Sequence, residues 1–258
     1  MTYIHQEVYG QGEPVVMLHG WAMHSGVWRI FAKQLAVGRQ VICLDLPGHG
    51  RSEIVQPYTL ELLVDKLALA LPECSCHLVG WSLGGVIALR LAEKYPHKVK
   101  SLVLIASNPH FLSTHEWLGV APNILTEFAN NIQKNAVVTL LRFMSLQVKG
   151  VPEMKACLKQ IKEALHECAV PELEVLMSGL QILQTADLRS ALSALALPVQ
   201  MIFGGYDSLV PMSVSGQCKS LMPQIEVHIV AEAGHVPFIS HPQQVLLLVH
   251  NFLLRSEA

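Results

Sequence analysis

The feature that most constrains the fold is Gly80-Trp81-Ser82-Leu83-Gly84-Gly85, which follows the apolar run His77-Leu78-Val79-Gly80 and precedes a helical pattern reaching Lys94. This is G-x-S-x-G in a strand–turn–helix setting. A sharp turn holds the serine at its tip, and the flanking glycines let neighbouring backbones pass where a Cβ would collide. The helix that follows aims free N–H groups and a positive dipole end at charge developing on a substrate. Such an elbow needs a buried strand to end on, so the chain is expected to be α/β with Ser82 as nucleophile.

The remaining pattern supplies that setting. Short apolar runs at 14–18, 40–44, 77–80, 99–106, 199–203 and 227–230 are nearly continuous rather than alternating, as expected for parallel strands covered on both faces. Helical patterns fill 59–71, 82–94, 212–221 and 242–254. From Asn108 to Arg189 no strand pattern occurs, and amphipathic helical segments are punctuated by Pro122, Gly150, Pro152 and Pro171. The expected organisation is an α/β core over 1–107 and 190–258, with a helical cap inserted at 108–189. The sheet is expected to be mostly parallel and eight-stranded, with helices on both faces.

Composition excludes several classes. With 51% hydrophobic and 15% charged residues, the 258-residue chain has ample core and is not disordered. A formal net charge of −2 leaves no global basic field for nucleic acid or an anionic membrane. No run of about 20 apolar residues reads as a membrane span, and the N-terminal residues carry no basic-then-apolar leader. The six cysteines lack paired spacing, which points to free thiols in a reducing, cytoplasmic compartment and to no metal site.

A serine nucleophile needs a base, and the base needs a carboxylate to orient it, in the chain order Ser, Asp or Glu, His. Of the four aspartates, Asp45 and Asp65 precede the serine and Asp187 closes the cap. Asp207 follows a strand through Gly204-Gly205-Tyr206 and is the expected acid; an N-cap for the next helix is its structural alternative. His235 lies on a loop just past the last strand and is the expected base, whereas His241 is assigned to a helix cap. The oxyanion donors are expected to be the backbone N–H groups of Leu83 and Trp21, with His19 bracing the Trp21 loop.

Together, His19-Gly20-Trp21, 45–52 (DLPGHGRS), the 80–85 elbow, Gly205-Tyr206-Asp207 and Gly234-His235 resemble the α/β-hydrolase superfamily over essentially the whole chain. The elbow, the run Arg142-Phe143-Met144-Ser145-Leu146-Gln147 and the tail 237–242 (PFISHP) further resemble the pimeloyl-[acyl-carrier protein] methyl ester esterases of biotin synthesis. That resemblance implies a serine esterase without metal or organic cofactor, acting on an acylated carrier protein; a monomer is expected. It also implies substrate contacts at Trp21, Ser82, Leu83, Phe143, Met144, Ser145, Leu146, Gln147 and His235.

Charge in the cap is sorted. Between Phe128 and Lys162 the basic residues are Lys134, Arg142, Lys149, Lys155, Lys159 and Lys162, against Glu153 alone. Lys155, Lys159 and Lys162 recur on one helix face. A solvated face is one reading. A docking patch for acidic carrier protein, built on Arg142, Lys149, Lys155, Lys159 and Lys162, is the other. The alternatives kept open for function are a general carboxylesterase, lactonase or thioesterase on small free acyl compounds, and a ligand-binding hydrolase fold without turnover. Phe111, Trp117, Phe128, Phe143 and Met144 are candidates to line an acyl passage.

Overall fold

The computed structural model describes residues 2–257. Among them, seven strands form one sheet in the order β1-β3-β2-β4-β5-β6-β7. These are β1 (Gln6–Tyr9), β2 (Glu13–Leu18), β3 (Arg39–Leu44), β4 (Cys76–Trp81), β5 (Val99–Ile105), β6 (Val199–Gly204) and β7 (Glu226–Val230). Only β1 runs antiparallel, pairing with β3 at the sheet edge. The expected eighth strand is not found among the described residues. Only Gly10-Gln11-Gly12 separates β1 from β2, which leaves no length there for a further antiparallel strand. β1 itself escaped the sequence reading because its four edge residues are half exposed and carry no apolar run.

Central strands alternate their side chains between two apolar layers, the period-2 consequence of the pleat. Val16 and Leu18 enter one layer, and Val15 and Met17 enter the other. All four are buried without residual exposure, and burying one such side chain contributes about 1.5–3 kcal/mol. On the first layer pack α2 (Leu60–Ala70), α3 (Leu83–Lys94), α8 (Arg189–Ala194) and α9 (Val214–Leu221). The second is covered by α1 (Arg29–Leu35), α10 (Pro237–Ser240) and α11 (Pro242–Arg255).

Between β5 and β6 the chain forms α4 (Pro122–Lys134), α5 (Ala136–Gln147), α6 (Met154–His166) and α7 (Leu173–Thr185) before α8. The two ends of this excursion meet at an antiparallel bridge between His110 and Asp187. Side-chain bonds tie it to the layers below. Trp21 Nε1 donates to the Leu176 carbonyl at 2.9 Å, and Arg29 pairs with both Glu167 oxygens at 2.6 and 2.8 Å. No helix among the described residues is long and apolar enough to cross a membrane.

The strand order positions the site. From β2 the chain steps to β3 on one side, then returns to β4 and continues the other way. The reversal falls between β2 and β4, and open α/β sheets bind ligands beyond the carboxyl ends of strands at such a switch point. Those two ends carry Gly20-Trp21 and Ser82.

Candidate active site

Ser82 sits between the end of β4 and the start of α3 with φ +54° and ψ −121°, a conformation that costs a non-glycine residue steric strain. Surrounding contacts hold it there. Its N–H donates to the Ile105 carbonyl at 3.0 Å, and its own carbonyl accepts the Ser107 hydroxyl at 2.8 Å. A Cβ on Gly80 would meet the backbone of Gly84 and Gly85, so the elbow closes only with glycine there.

Across the sheet, His235 Nε2 lies 2.9 Å from Ser82 Oγ, and His235 Nδ1 lies 2.8 Å from Asp207 Oδ2. All three residues are buried. Asp207 stands where the acid was expected, and it does not cap the next helix, α9, whose N-cap position is Ser213. Oδ2 meets the imidazole, while Oδ1 accepts the Leu209 and Val210 N–H groups at 2.8 and 3.0 Å. These bonds fix the carboxylate so that one oxygen faces the ring. His235 is itself anchored through its backbone. Its N–H donates to the Gln147 carbonyl at 2.8 Å, and its carbonyl accepts the Trp81 indole N–H at 2.8 Å. His241 occupies the cap position of α11, but its ring bonds the neighbouring Ser240 hydroxyl at 2.9 Å rather than a helix N–H.

Leu83 is the first residue of α3, where an N–H has no intrahelical acceptor. The loop bearing Gly20 and Trp21 packs onto that first turn so closely that a Cβ on Gly84 would strike the Leu18 and His19 carbonyl oxygens. The two expected oxyanion donors therefore belong to neighbouring backbones beside the serine. His19 ties the loop down, its Nδ1 donating to the Gly20 carbonyl at 2.8 Å and its Nε2 accepting the Leu46 N–H at 2.9 Å.

A cavity of about 80 Å³ opens on Ser82 and His235. Its other walls are apolar: Trp21, Phe111 and Phe128 with Phe143, Leu146, Leu180 and their neighbours. The rings of Trp21, Phe128 and Phe143 meet at centroid distances of 5.3–5.4 Å, Trp21 edge-to-face with both phenylalanines, a cluster that stiffens one wall.

Within 143–147, Phe143 and Leu146 reach the cavity, one helical turn apart. The other three do not line it. Met144 is buried in the opposite apolar layer, the Ser145 hydroxyl donates to the Leu141 carbonyl at 3.0 Å, and Gln147 is buried with its carbonyl on His235. Helical geometry explains the split, since positions three apart share a face and adjacent ones do not. Trp117 also stands away from the cavity, donating to the His110 carbonyl at 2.7 Å. Ile124, Leu125, Leu183 and Leu209 line the site without having been singled out by sequence. The helical spacing of the first three marked apolar faces, but nothing in it marked which face turns to Ser82; Leu209 lies in the bend after Asp207 and carried no such pattern.

Arg142, Lys149, Lys155 and Lys159 are exposed and Lys162 is half-buried. The three α6 lysines flank a shallow open groove with Leu158 and His166. Lys159 lies 3.7 Å from Glu163, an exposed pair that contributes little to stability.

Comparison with known proteins agrees with this geometry. A family model described as the alpha/beta hydrolase fold matches residues 13–242. The pimeloyl-[acyl-carrier protein] methyl ester esterase of Aeromonas salmonicida is 38% identical over 249 residues, covering 96% of this chain and 98% of the relative. That of Pseudoalteromonas atlantica is 39% identical over 256 residues, covering 98% and 99%. Among solved structures, an esterase from Exiguobacterium antarcticum superposes with a TM-score of 0.87 at 20% identity, covering 100% of this chain and 96% of that one. The enol-lactonase of Burkholderia xenovorans gives 0.85 at 18% identity, with coverage of 98% and 97%. At such identities these two structures speak for the fold alone.

Proposed function

Because the chain belongs to the alpha/beta-hydrolase family and, within it, to the group of pimeloyl-[acyl-carrier protein] methyl ester esterases, we propose that it hydrolyses the methyl ester of a pimeloyl chain carried on acyl carrier protein. The observation that carries this reading is the hydrogen-bonded series Ser82–His235–Asp207 at the foot of an apolar cavity. The reaction yields the free ω-carboxylate for biotin synthesis and methanol.

Ser82 Oγ attacks the ester carbonyl carbon while His235 Nε2 takes the hydroxyl proton. Asp207, held by the Leu209 and Val210 N–H groups, orients the imidazole and stabilises it once protonated. The carbonyl oxygen becomes an oxyanion facing the Leu83 and Trp21 N–H groups, a donor pair of which each member is worth about 10²–10³ in rate. Collapse breaks the bond to the methoxy oxygen, which leaves as methanol with the proton from His235. A water then gives a proton to His235 and attacks the acyl-enzyme, and Ser82 recovers its proton as the carboxylate departs.

The cavity wall fits a masked chain end. Among the described residues no lysine or arginine lines it, so a polymethylene chain ending in a neutral ester can enter, whereas a free carboxylate would lose its hydration without a partner. The carrier protein, being acidic, meets the cap through Arg142, Lys149, Lys155, Lys159 and Lys162. Contacts of this kind steer association and are screened by salt.

The deciding experiment compares turnover of methyl pimeloyl carrier protein with that of p-nitrophenyl esters, at low and high salt. Both substrates should be hydrolysed, and salt should weaken the carrier-linked reaction alone. The double variant Lys155→Glu/Lys159→Glu should raise KM for the carrier substrate about tenfold and spare the small ester. Turnover of small esters together with none of the carrier substrate would replace this assignment with a general carboxylesterase.

A further inference from the structure

Trp81 belongs to the elbow and touches both the loop that carries Gly20 and the loop that carries His235. It ends β4 immediately before Ser82 and is 1% exposed. Its indole N–H donates to the His235 carbonyl at 2.8 Å. Its six-membered ring lies under Gly20, where an added Cβ would come within 2.9–3.1 Å of three ring atoms. Phe238 packs edge-on against the indole at a centroid distance of 5.3 Å, and the Trp28 ring lies farther off at 6.3 Å.

We infer that Trp81 is a positioning residue for the hydrolysis proposed above, setting the base and the oxyanion loop against Ser82 through one rigid ring. The inference rests on the esterase reading. The physical reason lies in how His235 is fixed. Its ring nitrogens are committed to Asp207 and Ser82, so its placement depends on its backbone, and that backbone has the Trp81 indole on its carbonyl and the Gln147 carbonyl on its N–H. Removing the indole N–H leaves the His235 carbonyl without that donor and frees the loop to shift. Displacing a reacting group by about 1 Å can cost about a hundredfold in rate. Partial loosening at one of two anchors should cost less, about tenfold. Gly20 carries the same ring's influence to the oxyanion side, because the loop rests directly on it.

Trp28 offers an internal control. It is equally buried and belongs to the same aromatic group, yet its indole nitrogen has no hydrogen-bond partner among the described residues. A purely structural part for Trp81 predicts that Trp28→Phe and Trp81→Phe behave alike.

The test measures kcat and KM for a p-nitrophenyl ester, with the rate at which a fluorophosphonate labels Ser82. Trp81→Phe should lower kcat and the labelling rate about tenfold while KM stays within about twofold, and Trp28→Phe should keep wild-type kcat. If Trp81→Phe does not fold, benzothienylalanine at position 81 keeps the fused ring and lacks the N–H, and it should show the same loss. Wild-type kcat in the Trp81 variants, or an equal loss in Trp28→Phe, would overturn the positioning role and leave the esterase standing. A wild-type chain that releases no p-nitrophenol and takes no label would remove the esterase reading and this inference with it.

Discussion

Two buried histidine–aspartate clusters lie among the described residues, and they are chemically unlike. In one, His235 stands between Asp207 and the hydroxyl of Ser82. In the other, His19 and His49 approach at 5.3 Å beside Asp45. His19 has both ring nitrogens on backbone groups, and the Asp45 oxygens accept the Ser25 and Arg51 N–H groups at 2.6 and 2.8 Å. Burial, with His49 adding to it, pushes His19 down to about 3; burial likewise takes His49 to about 4. Residue type is shared, and the partners decide the chemistry. A histidine facing a hydroxyl can move a proton, whereas one facing two backbone groups can only hold loops.

The largest effect that could break this comparison is at the acids. Asp207→Asn should lower kcat for small esters by about 10³–10⁴ with the fold retained, because the amide no longer stabilises an imidazolium. Asp45→Asn should leave kcat of the folded protein near wild type. It should instead cost about 1–3 kcal/mol in denaturant unfolding, since the amide NH₂ would face the Arg51 N–H or the Ser25 N–H, donor against donor. A collapse of kcat in folded Asp45→Asn would erase the distinction. Asparagine at 207 with wild-type kcat would do so from the other side.

A smaller effect is expected from acid. His19 and His49 have folded values below 6.5, so protonation favours the unfolded chain. Their contribution is fully present above about pH 6.5 and is lost as pH falls from there towards 4 and then 3. Thermal midpoints at pH 7.5, 6.5 and 5.5 should therefore decline below 6.5. His49→Gln, in which nothing titrates at this position, should flatten the decline while lowering the midpoint at pH 7.5. An unchanged slope in that variant would assign the acid sensitivity elsewhere.

The two clusters also differ in how far sequence alone could resolve them. Ser82, Asp207 and His235 stand out because each ends a strand with glycine close by, and a tight turn admits few residue types. His19 was read as a brace, and the bonds to Gly20 and Leu46 place it as one. The cap offers less to read. Its helices announced themselves by apolar spacing, and Phe143 by its motif, but Met144, Ser145 and Gln147 share that motif and turn elsewhere. The β1 edge strand and the seven-strand count were equally hidden, since a four-residue edge strand has almost no apolar signature.

What the sequence determined by itself was the class of fold and the order of the reacting groups. Buried parallel strands demand unbroken apolar runs, and a strained elbow demands its glycines, so both leave local marks. Only the tertiary structure decided which helical faces wall the cavity, that Gln147 serves through its carbonyl, and that Trp81 reaches His235. Those are contacts between residues as many as 154 positions apart, and they arise from how the cap and layers pack on the sheet. A backbone carbonyl is the same in every residue, so no choice of side chain advertises it in advance.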